Sequence, residues 1–274
     1  KGSYTTENLK EFDLFIHSEN SRYSYTNTKF TKNATSHEWE PARTMLWEGK
    51  NKGFKFLAVA PPLQKRDVAL TENGEIFEFT VEFVQTAEST ASDLLWAGHG
   101  MSKDITPSNE EYFKDGKLAF EFEHALTLLK VQLTFGTELN HDKIMTENPV
   151  SELKINGFQP AVKVRYSGLT PSGDATEIQA YQSVWTAATD KTQNSVAIFE
   201  CIVVPQKMDK FTVNFICGGK PYTYTATLEN NFQFMGGKAY TLPLTVGKDE
   251  VILSKDGITA SPWGEGGSKD IETD

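Results

Sequence analysis

The sequence predicts an all-β protein. Three observations support this: apolar and polar residues alternate with period two along most of the chain, helical periodicity is scarce, and Gly, Asn, Asp and Pro separate the alternating runs. The composition agrees, with 18 Phe, 9 Tyr and 5 Trp against 5 Met, because aromatic and β-branched residues fit a pleated, half-buried surface. Short strands between such turns are typical of β-sandwiches and barrels.

The clearest strand is predicted at residues 76–84. Its odd-numbered positions from Phe77 to Phe83 are apolar and the even-numbered positions between them are polar, so one face is buried. The dipeptide Asn73-Gly74 just before it signals a hairpin turn. Further strands are predicted at residues 12–16, 54–60, 118–122, 129–135, 153–156, 162–166, 196–204, 211–217, 222–228, 240–246, 251–254 and 258–260.

The alternation changes phase in the middle of the chain. Apolar residues occupy even-numbered positions at 118–122 and odd-numbered positions at 129–135. A one-residue change of phase moves side chains to the opposite face of a strand. We therefore expect a bulge or a short bend across residues 124–128.

Chain length points to two domains or one large β-domain, since 274 residues compare with about 150 for a typical domain. The polar, proline-containing stretch at residues 98–116 is the best boundary because it separates two strand-rich halves. We predict one β-sandwich domain at residues 1–110. A second is predicted at residues 111–274, ending in terminal strands and a flexible tail after Trp263.

Charge and hydropathy exclude several classes of protein. The 27 Lys and Arg residues against 37 Asp and Glu residues give a net charge of −10, which disfavours nucleic acids and anionic membrane surfaces as partners. No apolar run approaches the ~20 residues of a membrane span. Because the chain begins at Lys1 without methionine, we interpret it as a trimmed mature form or an expressed fragment, so the lack of a visible signal peptide carries no information on location.

Signatures of catalysis are missing from the sequence. It has no G-x-S-x-G elbow, no P-loop and no H-E-x-x-H pattern, and its five histidines lack the spacing of metal ligands. His99, in a glycine-flanked loop, is interpreted as a solvated residue, and His124 as a satisfied buried imidazole. We therefore predict no enzyme activity, no metal site and no cofactor.

Two cysteines, Cys201 and Cys217, are too few for a disulfide scaffold. Both occupy inward-facing positions of predicted strands. They are either two buried small residues or a disulfide across neighbouring strands, which requires an oxidising compartment.

The five tryptophans leave a binding function open. A flat aromatic ring can stack on a sugar, and Trp185 lies in the polar stretch at residues 181–194, where exposure is most expected. Burial in a core is the competing interpretation for any tryptophan. The alternative function is therefore a surface glycan-binding β-sandwich module of a polysaccharide-capture system, with Trp185 as its platform.

Several segments resemble those of one known family. Residues 120–131, FEFEHALTLLKV, resemble the "F-x-H-A-L-[ST]-K-L-x-V" segment of Bacteroidales fimbrillin-like proteins, the Mfa-like subunits of type V pili, with Leu128 at a position usually held by lysine. The order and style of residues 12–16, 47–61 and 92–98 also match. The ending resembles the family's "G-x-x-Y-x-L-x-V" and "I-T-x-x-x-W" segments, here at residues 237–244 and 258–263.

The resemblance implies two transthyretin-like Greek-key β-sandwich domains in tandem, exported through a lipoprotein precursor to the outer membrane. It also implies a non-enzymatic fimbrial subunit that assembles with other pilin subunits by donor-strand exchange and contributes to adhesion on host or bacterial surface glycans or proteins. Strand addition of this kind uses main-chain hydrogen bonds and side-chain pockets. Six residues are implied to lie near the acceptor groove or on the donated strands: Phe12, Leu14, Ile16, Val251, Leu253 and Ile258.

Overall fold

The computed structural model describes residues 2–71, 75–109, 111–140, 144–263 and 271–272. The predicted all-β class is confirmed, since the helical elements among these residues are two 3₁₀ turns, Ser21–Tyr23 and Thr137–Asn140. None of the described helices has the length and apolar character needed to cross a membrane. The predicted turn at residues 73–74 and the predicted tail at residues 264–270 lie outside the described residues.

Among the described residues, nine strands precede residue 125. They are β1 (Glu11–Ser18), β2 (Tyr25–Lys32), β3 (Trp39–Pro41), β4 (Phe54–Ala60), β5 (Glu75–Thr80), β6 (Leu95–Ala97), β7 (Phe113–Lys114), β8 (Lys117–Phe120) and β9 (Glu123–His124).

Thirteen strands follow in the part of the chain that the structure describes. They are β10 (Thr127–Phe135), β11 (Val150–Phe158), β12 (Ala161–Arg165), β13 (Gly168–Ser172), β14 (Thr176–Gln179), β15 (Tyr181–Thr186), β16 (Ser195–Val203), β17 (Lys207–Cys217), β18 (Lys220–Gln233), β19 (Lys238–Val246), β20 (Val251–Leu253), β21 (Thr259–Pro262) and β22 (Ile271–Glu272).

The first half of the chain is built on an antiparallel sheet with the strand order β3-β2-β1-β4-β6-β9. One face of this sheet packs against the β7–β8 hairpin, and aromatic rings fill the space between them. Phe12 lies at the centre of this core, with the ring of Phe30 stacked 4.9 Å away and those of Trp39, Phe120 and Phe122 set edge-on. Such edge-to-face contacts add to the stabilisation that burial alone provides.

Two sheets share the core of the second half. One has the order β15-β16-β10-β19-β20, with β21 also paired to β19, and the other has the order β14-β11-β17-β18. Apolar side chains of both sheets belong to one continuous core, as in a β-sandwich. β10 and β19 are parallel, whereas the other ladders between named strands among the described residues are antiparallel.

A fourth sheet, of three strands, joins the two halves of the chain. Its order is β13-β12-β5, so a strand from before residue 100 pairs with one from after it. The predicted strand at 76–84 is shorter than expected and ends at Thr80. Beyond it, the Val81 N–H donates to the carbonyl of Pro160, and the chain turns to pair beside Gln179. The side chains of Phe83 and Val84 are consequently exposed.

The change of phase at residues 124–128 marks a transfer of the chain between sheets. β9 pairs with β6 in the first sheet, and β10, two residues later, pairs with β16 and β19 in another. The chain therefore leaves one ladder and enters another, which reverses the faces that its alternate side chains occupy.

Candidate functional site

Residues Phe12, Leu14 and Ile16 lie on a strand that is paired on both sides. β1 is hydrogen-bonded to β2 along one edge and to β4 along the other. Their side chains are at most 2% exposed and point into the aromatic core, while Phe15 points into the other core. Burial on both faces explains the nearly continuous apolar run of this strand. β1 thus forms the floor of the first half of the chain.

The short strand β8 lines two clefts beside this floor. Leu118 borders the first cleft, of about 250 Å³, whose other walls include Leu14, Phe30 and Trp47. Phe120 borders the second, of about 370 Å³. Clefts of this size beside a two-strand layer leave room for additional side chains.

Both edges of β8 are used by short ladders. On one side it forms a tight hairpin with β7, and on the other it takes β22 from the C-terminal end of the chain. Ile271 opposes Phe120, and Glu272 opposes Ala119, in antiparallel pairing. This edge of β8 therefore pairs with an added strand, and two residue pairs of that ladder lie within the part of the chain that the structure describes.

The second cleft has an aromatic and acidic lining. Tyr112, Phe120, Glu121 and Glu123 contribute to it together with His99. The His99 imidazole stacks on the indole of Trp96, with ring centroids 3.6 Å apart. Burial lowers the pKa of His99, which favours the neutral imidazole, and its Nδ1 atom has no hydrogen-bond partner among the described residues.

The residues predicted for strand donation lie on the C-terminal arm, defined here as residues 251–263. Val251 and Leu253 belong to β20, which pairs with the last residues of β19, and Ile258 directly precedes β21. Val251 and Ile258 are half-buried, whereas Leu253 is 41% exposed and its neighbour Ile252 is 50% exposed. The arm therefore completes the edge of its own sheet and exposes two large apolar side chains.

Trp185, the predicted glycan platform, lies on the edge strand β15 and is half-buried. Its indole N–H donates to the carbonyl of Thr146 at 3.1 Å, and its ring meets that of Phe135 edge-on. One edge of the indole is thus fixed by the protein. The structure does not bring Trp185 together with the other candidate residues.

Sequence reasoning missed the partners of His124. Its Nδ1 lies 2.9 Å from Oδ1 of Asp93, and its ring stacks on the indole of Trp263. The interpretation of His124 as a satisfied imidazole agrees with this geometry. The signal was available in the sequence, because His124 and Trp263 are the polar and aromatic positions of two motifs that the resemblance had singled out.

The two cysteines lie in different sheets and are free thiols. Cys201, on β16, is fully buried, and burial raises its pKa to about 12. Cys217, at the end of β17, is half-buried, and burial also raises its pKa. Neither thiol has the lowered pKa of a reactive cysteine. Among the described residues, no cluster of three His, Cys, Asp or Glu side chains could hold a metal ion.

The fold and these surfaces define an all-β protein whose candidate site consists of strand edges and the clefts beside them. The family model for fimbrillin-like proteins matches residues 4–263, so the chain belongs to the fimbrillin-like family, a family of cell-surface pilus subunits. The resemblance found in the sequence is thereby confirmed. No curated protein matches the chain.

Proposed function

We propose that this protein is a non-enzymatic structural subunit of a bacterial fimbria, that it assembles with neighbouring subunits by donor-strand exchange, and that it contributes to adhesion. Membership of the fimbrillin-like family over residues 4–263 supports the role as a pilus subunit. The single structural observation that favours strand exchange is the edge of β8, which already takes a strand from elsewhere in the chain.

The acceptor in this proposal is the edge of β8 with its two clefts. An added strand gains main-chain hydrogen bonds along β8, and its alternate side chains enter pockets. Leu14 and Leu118 give the first cleft an apolar wall, which suits a branched aliphatic side chain. β1 lies beneath β8 in this core. Phe12, Leu14 and Ile16 therefore contribute to the apolar surface that the incoming strand contacts, and they do not pair with that strand.

The donor in this proposal is the C-terminal arm together with the residues that follow it. β20 pairs through three residues and carries the exposed side chains of Ile252 and Leu253. Because Ile252 and Leu253 are already half-exposed, they add less to the hydrophobic cost of detaching β20 than buried side chains would. An exposed apolar edge strand is also an aggregation hazard in an isolated protein, and a neighbouring subunit that covers it removes the hazard.

Truncation tests this assignment. We expect deletion of residues 251–274 to abolish fibres, measured by electron microscopy and light scattering. Deletion of residues 264–274 alone tests whether the residues after the arm contribute to fibre formation separately from the arm itself. Because the longer deletion also removes Trp263 from the core, the double variant Ile252→Ser, Leu253→Ser serves as a folded control that weakens assembly. Unchanged fibres from the 251–274 deletion would overturn donation by the C-terminal segment.

We further propose that residues 1–110 and 111–274 are tandem transthyretin-like domains. We also propose that the chain reaches the outer membrane through a lipoprotein precursor. The net charge of −10 suits a soluble coat on an exported protein. Metabolic labelling of the full precursor with a palmitate analogue tests the export route. A precursor that reaches the surface without acquiring lipid argues against it.

Glycan capture is a second candidate function, favoured by the second cleft. Its lining places the ring of Tyr112 beside Glu121 and Glu123, so an aromatic face and hydrogen-bond acceptors meet in about 370 Å³. A glycan array with the parent protein tests this function. If binding is found, Tyr112→Ala locates it in the cleft and Trp185→Ala locates it on β15. A parent protein that binds no glycan excludes this function.

A further inference from the structure

A buried carboxylate connects the N-terminal residues to β9, in the middle of the chain. The side chain of Asp93 is completely buried. Its Oδ2 atom accepts a hydrogen bond of 2.6 Å from the backbone N–H of Tyr4, and its Oδ1 atom lies 2.9 Å from Nδ1 of His124. Each oxygen of the carboxylate therefore has a different partner, one from the start of the chain and one from its middle.

The imidazole on the far side of this pair supports the C-terminal arm. The ring of His124 stacks on the indole of Trp263, with centroids 4.0 Å apart and an angle of 12° between the planes. Trp263 is the last residue of the arm and is 7% exposed. Its backbone N–H donates to the carbonyl of Gly237, at the entry to β19. Trp263 thus fixes the end of the arm to the body of the protein.

The N-terminal residues are held at a second point as well. The backbone N–H of Gly2 donates to the hydroxyl of Tyr181 at 3.2 Å, and that hydroxyl donates to Glu200. Gly2 is buried, and a Cβ atom added to it would lie 2.6 Å from the carbonyl oxygen of Thr86. Residues 2–4 are therefore held in place by hydrogen bonds and close packing.

We propose that residues 2–4 and the C-terminal arm are coupled through Asp93 and His124, so that removal of the N-terminal residues loosens the arm. The chain of contacts is continuous: Tyr4 binds Asp93, Asp93 binds His124, and His124 stacks on Trp263. The value of this coupling to the cell rests on the proposed function, because a loosened arm is a strand ready to be donated. The coupling itself is a property of the single subunit.

The energetics follow from the burial of Asp93. A buried carboxylate that loses a hydrogen-bond donor keeps an oxygen that neither protein nor water satisfies. The segment around Asp93 must then open to admit water, and the imidazole loses the acceptor that fixes its orientation. Because Trp263 stacks on that ring, the arm loses part of its support. Coupling between two sites of a protein is commonly a factor of five or more in an equilibrium constant.

Hydrogen exchange of the arm, in dilute monomeric protein, tests the coupling. The variant Tyr4→Pro removes the N–H that reaches Asp93, whereas Tyr4→Ala keeps this N–H and removes only the ring. We expect peptides spanning residues 251–263 to exchange about five- to tenfold faster in Tyr4→Pro than in Tyr4→Ala. Trypsin cleavage after the exposed Lys255, between β20 and β21, is likewise expected to be faster in Tyr4→Pro than in Tyr4→Ala.

A third variant, Asp93→Ala, removes the carboxylate itself and should make the arm exchange as in Tyr4→Pro. Peptides of β11 and β17, remote from this network, report global unfolding and should remain unchanged. Equal exchange of the arm in Tyr4→Pro and Tyr4→Ala would overturn the coupling. Fibre formation is scored separately: a coupled arm in a protein that never forms fibres refutes strand donation and leaves the coupling intact.

Discussion

Arg66 and Asp13 form an ion pair in which Nη1 of the arginine lies 2.8 Å from Oδ1 of the aspartate, although Asp13 is completely buried in β1. The other carboxylate oxygen accepts the backbone N–H of Leu63 at 2.7 Å and the side-chain amide of Asn27 at 3.2 Å. One buried carboxylate thus holds the loop after β4 against β1 and β2. The arginine itself remains partly accessible to water, since its side chain is 45% exposed.

We expect Asp13→Ala to lower the free energy of unfolding by about 2–4 kcal/mol, because the Leu63 N–H and the Asn27 amide lose a charged acceptor in a dry site. Urea denaturation measures the change. Glu11→Gln is the matched control, since Glu11 pairs with Lys29 at a partly exposed position on the same strand, where an ion pair contributes about 0–1 kcal/mol. Equal losses in the two variants would show that the buried network adds nothing.

Two glycines of one loop provide a test of close packing. Gly98 and Gly100 both have positive φ angles, of 77° and 66°. A Cβ atom on Gly98 would lie 2.6 Å from both the ring and the carbonyl oxygen of Phe56, whereas one on Gly100 would meet nothing within 4 Å. Both alanine variants incur the backbone cost of about 1–2 kcal/mol.

Gly98→Ala is expected to lower the free energy of unfolding by about 1–3 kcal/mol more than Gly100→Ala does, because it also overpacks the contact with Phe56. Thermal unfolding of the two variants side by side measures the difference. Indistinguishable melting temperatures would mean that Phe56 moves away without cost.

Stability at alkaline pH should depend on Cys201. In the unfolded chain its thiol has the ordinary pKa of 9.0, whereas burial raises the pKa to about 12 in the folded protein. Between these values the unfolded state has lost a proton that the folded state retains. Stability is therefore complete below about pH 9 and falls as pH rises toward 12, by at most about 1.4 kcal/mol per pH unit.

The variant Cys201→Ala removes this dependence, so its free energy of unfolding should fall less steeply between pH 9 and 11 than that of the parent. Urea titrations at several pH values provide the slopes. Cys217→Ala is the control, because that thiol is only half-buried. A parent slope equal to that of Cys201→Ala would contradict the prediction. Tyr181, whose pKa burial raises to about 12, contributes to the slope of both proteins.

The aromatic core of the first half should dominate its stability. Phe12→Ala is expected to lower the free energy of unfolding by about 3–5 kcal/mol, since a fully buried ring is replaced by a cavity. Phe83 is 52% exposed, so Phe83→Ala should stay within about 0.5 kcal/mol of the parent. Chemical denaturation followed by circular dichroism compares them. A loss at Phe83 comparable with that at Phe12 would mean that its exposed ring is covered in solution.

Strands with several apolar residues could be predicted from the sequence, whereas β2, which has few, could not. β4 was predicted with its observed bounds, because it carries apolar residues at most positions. β2 was missed, since its buried positions include Asn27 and Thr28. Asn27 is satisfied by Asp13, by the carbonyl of Lys65 and by the N–H of Val68. Partners so distant in sequence leave no trace in a local pattern.

The candidate site was harder to predict than the fold. A strand was predicted at residues 12–16 and is present within β1, but sequence alone does not tell a central strand from an edge strand. The contact between His124 and Trp263 joins positions 139 residues apart, as 263 − 124 shows. Each residue belonged to a recognisable motif, yet only tertiary structure brings the two motifs together.

The parallel pairing of β10 with β19 also fixes an order of events. A chain that emerges with its N-terminus first exposes one edge of β10 until residues 238–246 follow, because β16 covers only the other edge. Long-range pairing of this kind is slow, and an unpaired edge invites association with other chains. Until residues 238–246 are in place, the open edge of β10 can therefore pair with another chain, and the arrival of β19 closes it.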